Sequence, residues 1–308
     1  MDRLREMQVM LAVADAPSFA VAGRRLGLSP AAVTRAVAGV EERLGVRLVS
    51  RTTRSMRLTE AGLRFTEGAR RALEAVETAE LTAMGETAEP RGHLSITAST
   101  SFGRVHVGPI LAEFLVRNPG MTASILAVDR VVNLVEEGID VGVRIGRLPD
   151  SRLIARRVGE TRRVLVAAPD YLARAGTPLR PEDLSDHALI VHEGMMGGVT
   201  AATGGRGSLR GIAITPRLVV NDVFTTLSLV EAGHGIAPAF CYMVADALMT
   251  GRLVEVLADD TDVQPVHLVH PETRLISPAV RAFLDVAAPL LKSRLAVYSR
   301  DGAGVLPA

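Results

Sequence analysis

Only one cysteine and one lysine occur in 308 residues, and aromatic residues make up 3%. With Cys241 alone, the chain has no internal disulfide framework and no multi-cysteine zinc or iron–sulfur site. The histidines at 93, 106, 187, 192, 234, 267 and 270 are scattered. His267 and His270 stand three apart in an expected strand, on opposite faces, so they make poor joint ligands. No metal and no cofactor is expected. No Gly-x-Ser-x-Gly elbow, P-loop or His-Glu-x-x-His motif is present, which argues against an enzyme. No run of ~18 apolar residues occurs, so no membrane partner is expected. The start, MDRLREMQVMLAVAD, carries charge through its apolar stretch and does not read as a signal peptide. A cytoplasmic location follows as an expectation. What is present is 48% hydrophobic and 22% charged residues, a globular balance, at a length that fits two domains or one large one.

The formal net charge of +1 is unevenly spread. Residues 1–71 hold 13 Arg against 7 Asp and Glu, whereas residues 72–90 hold 5 Glu and no basic residue. The rest balances. A basic head, an acidic helical stretch and a neutral body point to a polyanion partner for the head. The near-exclusive use of arginine runs through the whole chain and marks no particular site.

Met7, Met10, Leu11 and Ala14 form one apolar helix face. Pro17 and Ser18 stop that helix, and Ser18 can cap the next, whose stripe is Phe19, Ala22, Gly23 and Leu26. Gly27-Leu28 turns the chain. Ser29-Pro30 opens a third helix with a capping hydroxyl and proline in first position. Its inward face is Val33, Val37, Val40 and Leu44; its outward face carries Pro30, Ala31, Thr34, Arg35 and Ala38. Two short helices across a glycine turn make a helix-turn-helix, whose second member enters the DNA major groove by its N-terminal end. The stretch 47–58 reads as a hairpin with a basic tip, a wing. Candidate DNA contacts are therefore Ser29, Pro30, Ala31, Thr34 and Arg35 on the helix, with Arg51, Thr52 and Arg54 on the wing. Thr59 caps a long helix. Phe65, Ala69, Ala72, Val76, Ala79 and Ala83 recur along it every three or four residues, a seam for dimerisation or for packing on the chain's own body.

The first quarter resembles the LysR-type transcriptional regulators. The resemblance rests on Ser18-Phe19, Ala22-Gly23, Leu26, Leu28 to Arg35, Val40-Glu41, Leu44-Gly45, Leu48, Arg51 to Arg54 and Leu58 to Gly62. Thr34 stands where the family often has serine, Val49 where phenylalanine is usual, and Ala22-Gly23 where Ala-Ala is common. Glycine at 23 is expected to loosen its helix slightly.

Beyond Pro90-Arg91-Gly92 the pattern alternates. Strand 93–98, helix 103–117, strand 122–128, helix 131–137 and strand 140–145 lead to an expected parallel α/β sheet. A second unit comprises strand 163–168, a helix opened by Pro169, strands 189–192 and 218–220, helix 223–232 and strand 236–237. Strand 266–269 and helix 277–291 close the chain, and 193–211 is a glycine-rich loop. This body is also similar to the family, at Asp140 to Gly146, Ala168 to Leu172, Pro181 to Leu184 and Ala232 to Ala237, with His234 where leucine is common.

The resemblance implies an α/β fold class of three parts. They are an all-α winged helix-turn-helix at 1–58, a linker and dimerisation helix at 59–89, and a periplasmic-binding-protein-like pair of α/β subdomains at 90–295. Subdomain 1 covers about 90–165 and 266–295, subdomain 2 about 166–265, and 296–308 is a tail. It further implies a double-stranded DNA operator, a second copy of the chain as homodimer or dimer of dimers, RNA polymerase and a small-molecule effector as partners.

Strand ends and helix starts face the ligand in such sheets. Ser99, Thr100 and Ser101 satisfy both conditions and suit a carboxylate, though they could merely cap their helix. Arg144 could pair with an acidic ligand or with Asp140. His192, Glu193, Asn221 and Asp222 complete the candidate effector residues. A DNA-binding regulator that senses no small molecule, answering to a protein partner or acting constitutively, is the competing reading.

Overall fold

A computed structural model of the chain describes residues 2–51, 56–83, 90–148, 153–193, 207–209, 212–258, 262–272 and 276–298. The chain divides into two compact units, essentially Met1–Gly92 and His93–Arg274 with Ala279–Ala308.

The first unit opens with α1 (Arg3–Ala14), α2 (Phe19–Leu26) and α3 (Pro30–Leu44). Their boundaries follow from local chemistry. Ser18 Oγ accepts from the Val21 amide at 3.3 Å and Ser29 Oγ from the Ala32 amide at 3.2 Å. Gly27 and Gly45 end α2 and α3 in left-handed conformation, at φ 66° and 70°. β1 (Val49–Arg51) pairs antiparallel with β2 (Met56–Leu58) as the wing hairpin. α4 (Glu60–Ala83) follows, with Thr59 Oγ1 accepting from the Gly62 amide. Val9, Met10, Val13, Val33, Val37, Val40 and Leu48 form the core.

Two close approaches fix this unit. A Cβ at Gly23 would lie 2.6 Å from the Leu28 carbonyl oxygen, and one at Gly62 2.0 Å from that of Leu48. Gly23 thus lets the α2–α3 turn close, since a side chain there would strike the Leu28 carbonyl.

The second unit contains β3 (Gly92–Ala98), α5 (Thr100–Phe102), α6 (Gly108–Arg117), β4 (Met121–Ala127), β5 (Val141–Ile145), β6 (Leu153–Ala167) and α7 (Pro169–Ala175). It continues through β7 (Ile190–His192), β8 (Gly207–Leu209), β9 (Ile212–Ile214), β10 (Leu218–Val220), α8 (Val223–Glu231), β11 (Ile236–Phe240) and α9 (Cys241–Met249). β12 (Val254–Val256), β13 (Asp262–Pro271) and α10 (Pro278–Ala296) complete it. A π-helical turn, Gly103–Val107, joins α5 to α6 into one continuous helix that begins at Thr100, three residues before the sequence places it.

Among the described residues one sheet runs β11-β6-β13-β5-β3-β4, with β12 also on β6. β3 and β5 are parallel, as are β7 and β10. The expected all-parallel sheet is nevertheless mixed, because β6 and β13 are long antiparallel partners that run through both halves. Their ladder shifts register between Val266 and His267, opposite Gly159 and Arg157.

The helix expected over 131–137 is absent. Asn133 Oδ1 accepts from the amides of Val135 and Glu136, which stabilises turns instead of a helix. Most of the 193–211 loop lies outside the described residues.

Candidate functional site

In the first unit α3 presents Pro30, Ala31, Arg35 and Ala38 to solvent, with Thr34 half-buried. Arg35 is exposed and makes no ion pair among the described residues. Other arginines are committed to the fold: Arg43 pairs with Glu6 at 2.6 Å, and Arg25 donates to the Asp15 carbonyl at 2.9 Å. Arg51 contributes its backbone to the wing ladder opposite Met56. Its side chain, and all of Thr52 and Arg54, lie outside the described residues.

The sequence reading missed what holds the wing. Glu41 Oε1 accepts from the amides of Leu48 and Val49, at 2.8 and 3.0 Å, and Arg47 reaches the other carboxylate oxygen at 3.3 Å. Thr59 Oγ1 donates to the Arg47 carbonyl at 2.7 Å. Glu41 thereby ties the recognition helix to the first strand of the wing. The only advance signal was Glu41's place in the family pattern.

The seam on α4 divides. Phe65 packs against the core of the first unit and Ala69 is 2% exposed in the single chain. These two are therefore corrected from dimer contacts to core residues, because the first turns of α4 pack on α1. Ala72 and Val76 are half-buried and Ala79 is exposed, while the side chain of Ala83 lies outside the described residues.

In the second unit a cavity of about 210 Å³ opens between the two halves. Of the expected effector residues, Ser99, Ser101, Arg144 and His192 line it. Thr100, Glu193, Asn221 and Asp222 do not. Thr100 donates its amide to Asp129 Oδ1 at 3.0 Å. Asp222 caps α8, accepting from the Thr225 hydroxyl at 2.6 Å and from its amide at 2.7 Å, and these hydrogen bonds hold its carboxyl below the usual range. Ser101 Oγ shares a buried hydrogen bond of 2.9 Å with the Tyr242 hydroxyl, whose pKa burial pushes up.

The remaining walls were not foreseen: Val128, Asp129, Arg130, Val131, Val143, Ile145, Arg163, Val223, Phe240 and Met243. Arg144 donates to the Val132 carbonyl at 2.7 Å and not to Asp140, which accepts from the Ser95 amide. Burial lowers the pKa of Arg144, partly offset by Glu137. Arg163 pairs with Asp262 at 3.2 Å, yet its buried Nε has no acceptor among the described residues. The cavity thus mixes apolar walls with polar side chains, among them the guanidinium groups of Arg130, Arg144 and Arg163.

A winged helix-turn-helix with an exposed recognition helix, and a separate α/β unit with a cleft, can be set beside known proteins. The model described as "Bacterial regulatory helix-turn-helix protein, lysR family" matches residues 4–63. The model described as "LysR substrate binding domain" matches residues 87–292. The chain belongs to the LysR family of transcriptional regulators. As a LysR-type protein it is a DNA-binding regulator and not an enzyme.

Among its relatives is an HTH-type transcriptional repressor of Pseudomonas aeruginosa, 34% identical over 288 residues, covering 92% of this chain and 91% of that protein. The transcriptional activator AaeR of Escherichia coli is 32% identical over 275 residues, 88% of each chain. The solved structure of the LysR-type regulator CrgA from Neisseria meningitidis is 30% identical, covers 93% of this chain and 98% of that one, and superposes with a TM-score of 0.58. Among the described residues, no helix of this LysR-type regulator is long and apolar enough to cross a membrane, and no cluster of metal-ligating side chains occurs.

Proposed function

We propose that this regulator binds a partly palindromic DNA operator as a dimer or a dimer of dimers, and that a small effector in the second unit's cavity modulates that binding. The head at 1–58 reads the DNA. Ala31, Thr34 and Arg35 lie in the major groove, Ser29 and Pro30 set the helix start against the backbone, and Arg51, Thr52 and Arg54 hold phosphate. The linker helix at 59–89 pairs the copies through Ala72, Val76, Ala79 and Ala83. The region 90–295 holds the effector, a carboxylate, and RNA polymerase is a further partner at the promoter. As a regulator of bacterial DNA it works in the cytoplasm.

The observation that carries the DNA reading is the exposed Arg35, without an ion pair among the described residues, on a recognition helix tied to the first wing strand by Glu41. The effector reading is supported by the 210 Å³ cavity, whose lining includes Arg144 and the unmatched Nε of Arg163. The effector acts only through a different affinity for two arrangements of the subunits.

The test is a titration of the full-length protein on the DNA upstream of its own gene, at two salt concentrations, against a random duplex, with and without a panel of small carboxylates. Tight, salt-sensitive binding that exceeds the control and shifts with one carboxylate is expected. Binding to neither duplex contradicts the docking. Specific binding that no carboxylate moves favours the regulator without a small-molecule effector.

A further inference from the structure

The cavity carries an acid of its own. β4 ends at Ala127, and the Val128 amide donates to the Ala98 carbonyl at 3.0 Å, so the residues after β3 and β4 run side by side. Asp129 is thereby held over the start of the helix at Thr100, where Oδ1 accepts the Thr100 amide at 3.0 Å. Its other oxygen, Oδ2, lies 3.6 Å from Nε2 of His192 at the end of β7, beyond hydrogen-bond length and an ion pair when that ring is protonated. Asp129 is the only carboxylate on the cavity wall among the described residues.

The other contacts across the cleft are of a different kind. Ser101, Phe102 and Tyr242 are buried, with Phe102 edge-on to Tyr242 at 5.3 Å. Arg104 stacks over Phe224 at 4.4 Å. Parting Phe102 from Tyr242 would expose aromatic surface to water, which is unfavourable. The Asp129–His192 contact is of another kind: the Asp129 side chain is 25% accessible and that of His192 5%. Both side chains line the cavity, so this contact lies where a ligand can reach it.

We propose that Asp129 is a latch: its carboxylate joins the Thr100 amide to His192 across the cavity, and an anionic effector opens it by taking those partners. The release step rests on the effector reading above; the latch itself does not. Asp129 also acts as a specificity filter. A ligand too weakly acidic to compete for the Thr100 amide leaves the bridge intact.

Hydrogen exchange on the full-length protein, without effector, tests the latch. In Asp129→Ala, the segments 100–107 and 190–193 exchange on the order of tenfold faster than in wild type, the loss expected for one hydrogen bond to a charged group. Sodium formate, a carboxylate small enough to replace the missing side chain, restores protection in Asp129→Ala, while sodium chloride at equal ionic strength does not. Asp129→Asn keeps an oxygen for the Thr100 amide without the charge toward His192. It retains protection at 100–107 and loses it at 190–193, so the proposal stays testable if the alanine variant folds poorly.

Wild-type exchange rates in Asp129→Ala, or equal rescue by chloride, overturn the latch. If the latch results hold but no carboxylate alters exchange or operator binding of the wild type, the effector reading fails and with it the release step. If a carboxylate shifts operator binding while Asp129→Ala exchanges like wild type, the latch fails and the effector reading survives.

Discussion

Glu41→Ala removes the single acceptor that two backbone amides share. Leu48 and Val49 donate to the same carboxylate oxygen, and both residues are buried. A buried N–H left without an acceptor costs about 1–3 kcal/mol. The Glu41 side chain is 11% exposed, so water can relieve part of that loss, and the two penalties will not add in full. The expected destabilisation of the first unit is about 2–4 kcal/mol. Arg47 contributes little to this, because its side chain is 84% exposed and its pairing distance is 3.3 Å. Each kcal/mol moves the midpoint of a domain of this size by roughly 4–8 °C, so the transition falls by roughly 8–32 °C. Glu41→Gln keeps an oxygen and loses the charge, and should cost about 1 kcal/mol. Differential scanning calorimetry of the full-length variants measures both, with hydrogen exchange at residues 47–58 assigning the transition to the head. A Glu41→Ala protein within about 0.5 kcal/mol of wild type refutes the reasoning. So does a glutamine variant as unstable as the alanine one, since the retained oxygen would then count for nothing.

Glycine substitutions should split by what surrounds them. Gly62→Ala, 2.0 Å from the Leu48 oxygen, should cost at least about 1–3 kcal/mol, whereas Gly68→Ala in open space within α4 should stabilise by roughly 0.5–1 kcal/mol; thermal melts decide. His106 is buried, and that burial, aided by Arg294, lowers its pKa from 6.5 to about 4. The unfolded chain takes up this proton first as pH falls. The second unit should therefore lose stability between about pH 6.5 and pH 4, by up to about 3 kcal/mol, and His106→Leu should flatten that slope in urea titrations. Arg35→Ala should weaken specific operator binding by about 1–3 kcal/mol, while Arg51→Ala should weaken all duplexes alike and reduce the salt slope by about one; equal affinities to wild type in both would count against the docking.

The head was legible because its signals are local. Ser18, Ser29 and Gly27 each act within three or four residues of themselves, and the apolar spacing of α3 predicts the burial of Val33, Val37 and Val40, though Leu44 at its end is exposed. The second unit was legible only where strands alternate cleanly. The first half of β6 was missed because Arg156, Arg157, Glu160 and Arg162 interrupt any apolar rhythm. α9 follows β11 with no intervening loop, so no breaker marked it. Asp129 left no trace in the sequence, since its partners Thr100 and His192 come close only through the fold. The α4 seam misled at Phe65 and Ala69 because a core stripe and a dimer stripe share one periodicity.

β6 and β13 form the one antiparallel ladder that serves both halves of the second unit, and it is interrupted at a single place, where Val266 and His267 face Gly159 and Arg157. Gly159 adopts φ 153°, and a side chain there would strike Leu295 at 2.8 Å. A ladder with one missing rung bends at that rung, since elsewhere bending must strain paired backbone groups. The ladder is therefore creased at that one point, with paired rungs on either side of it.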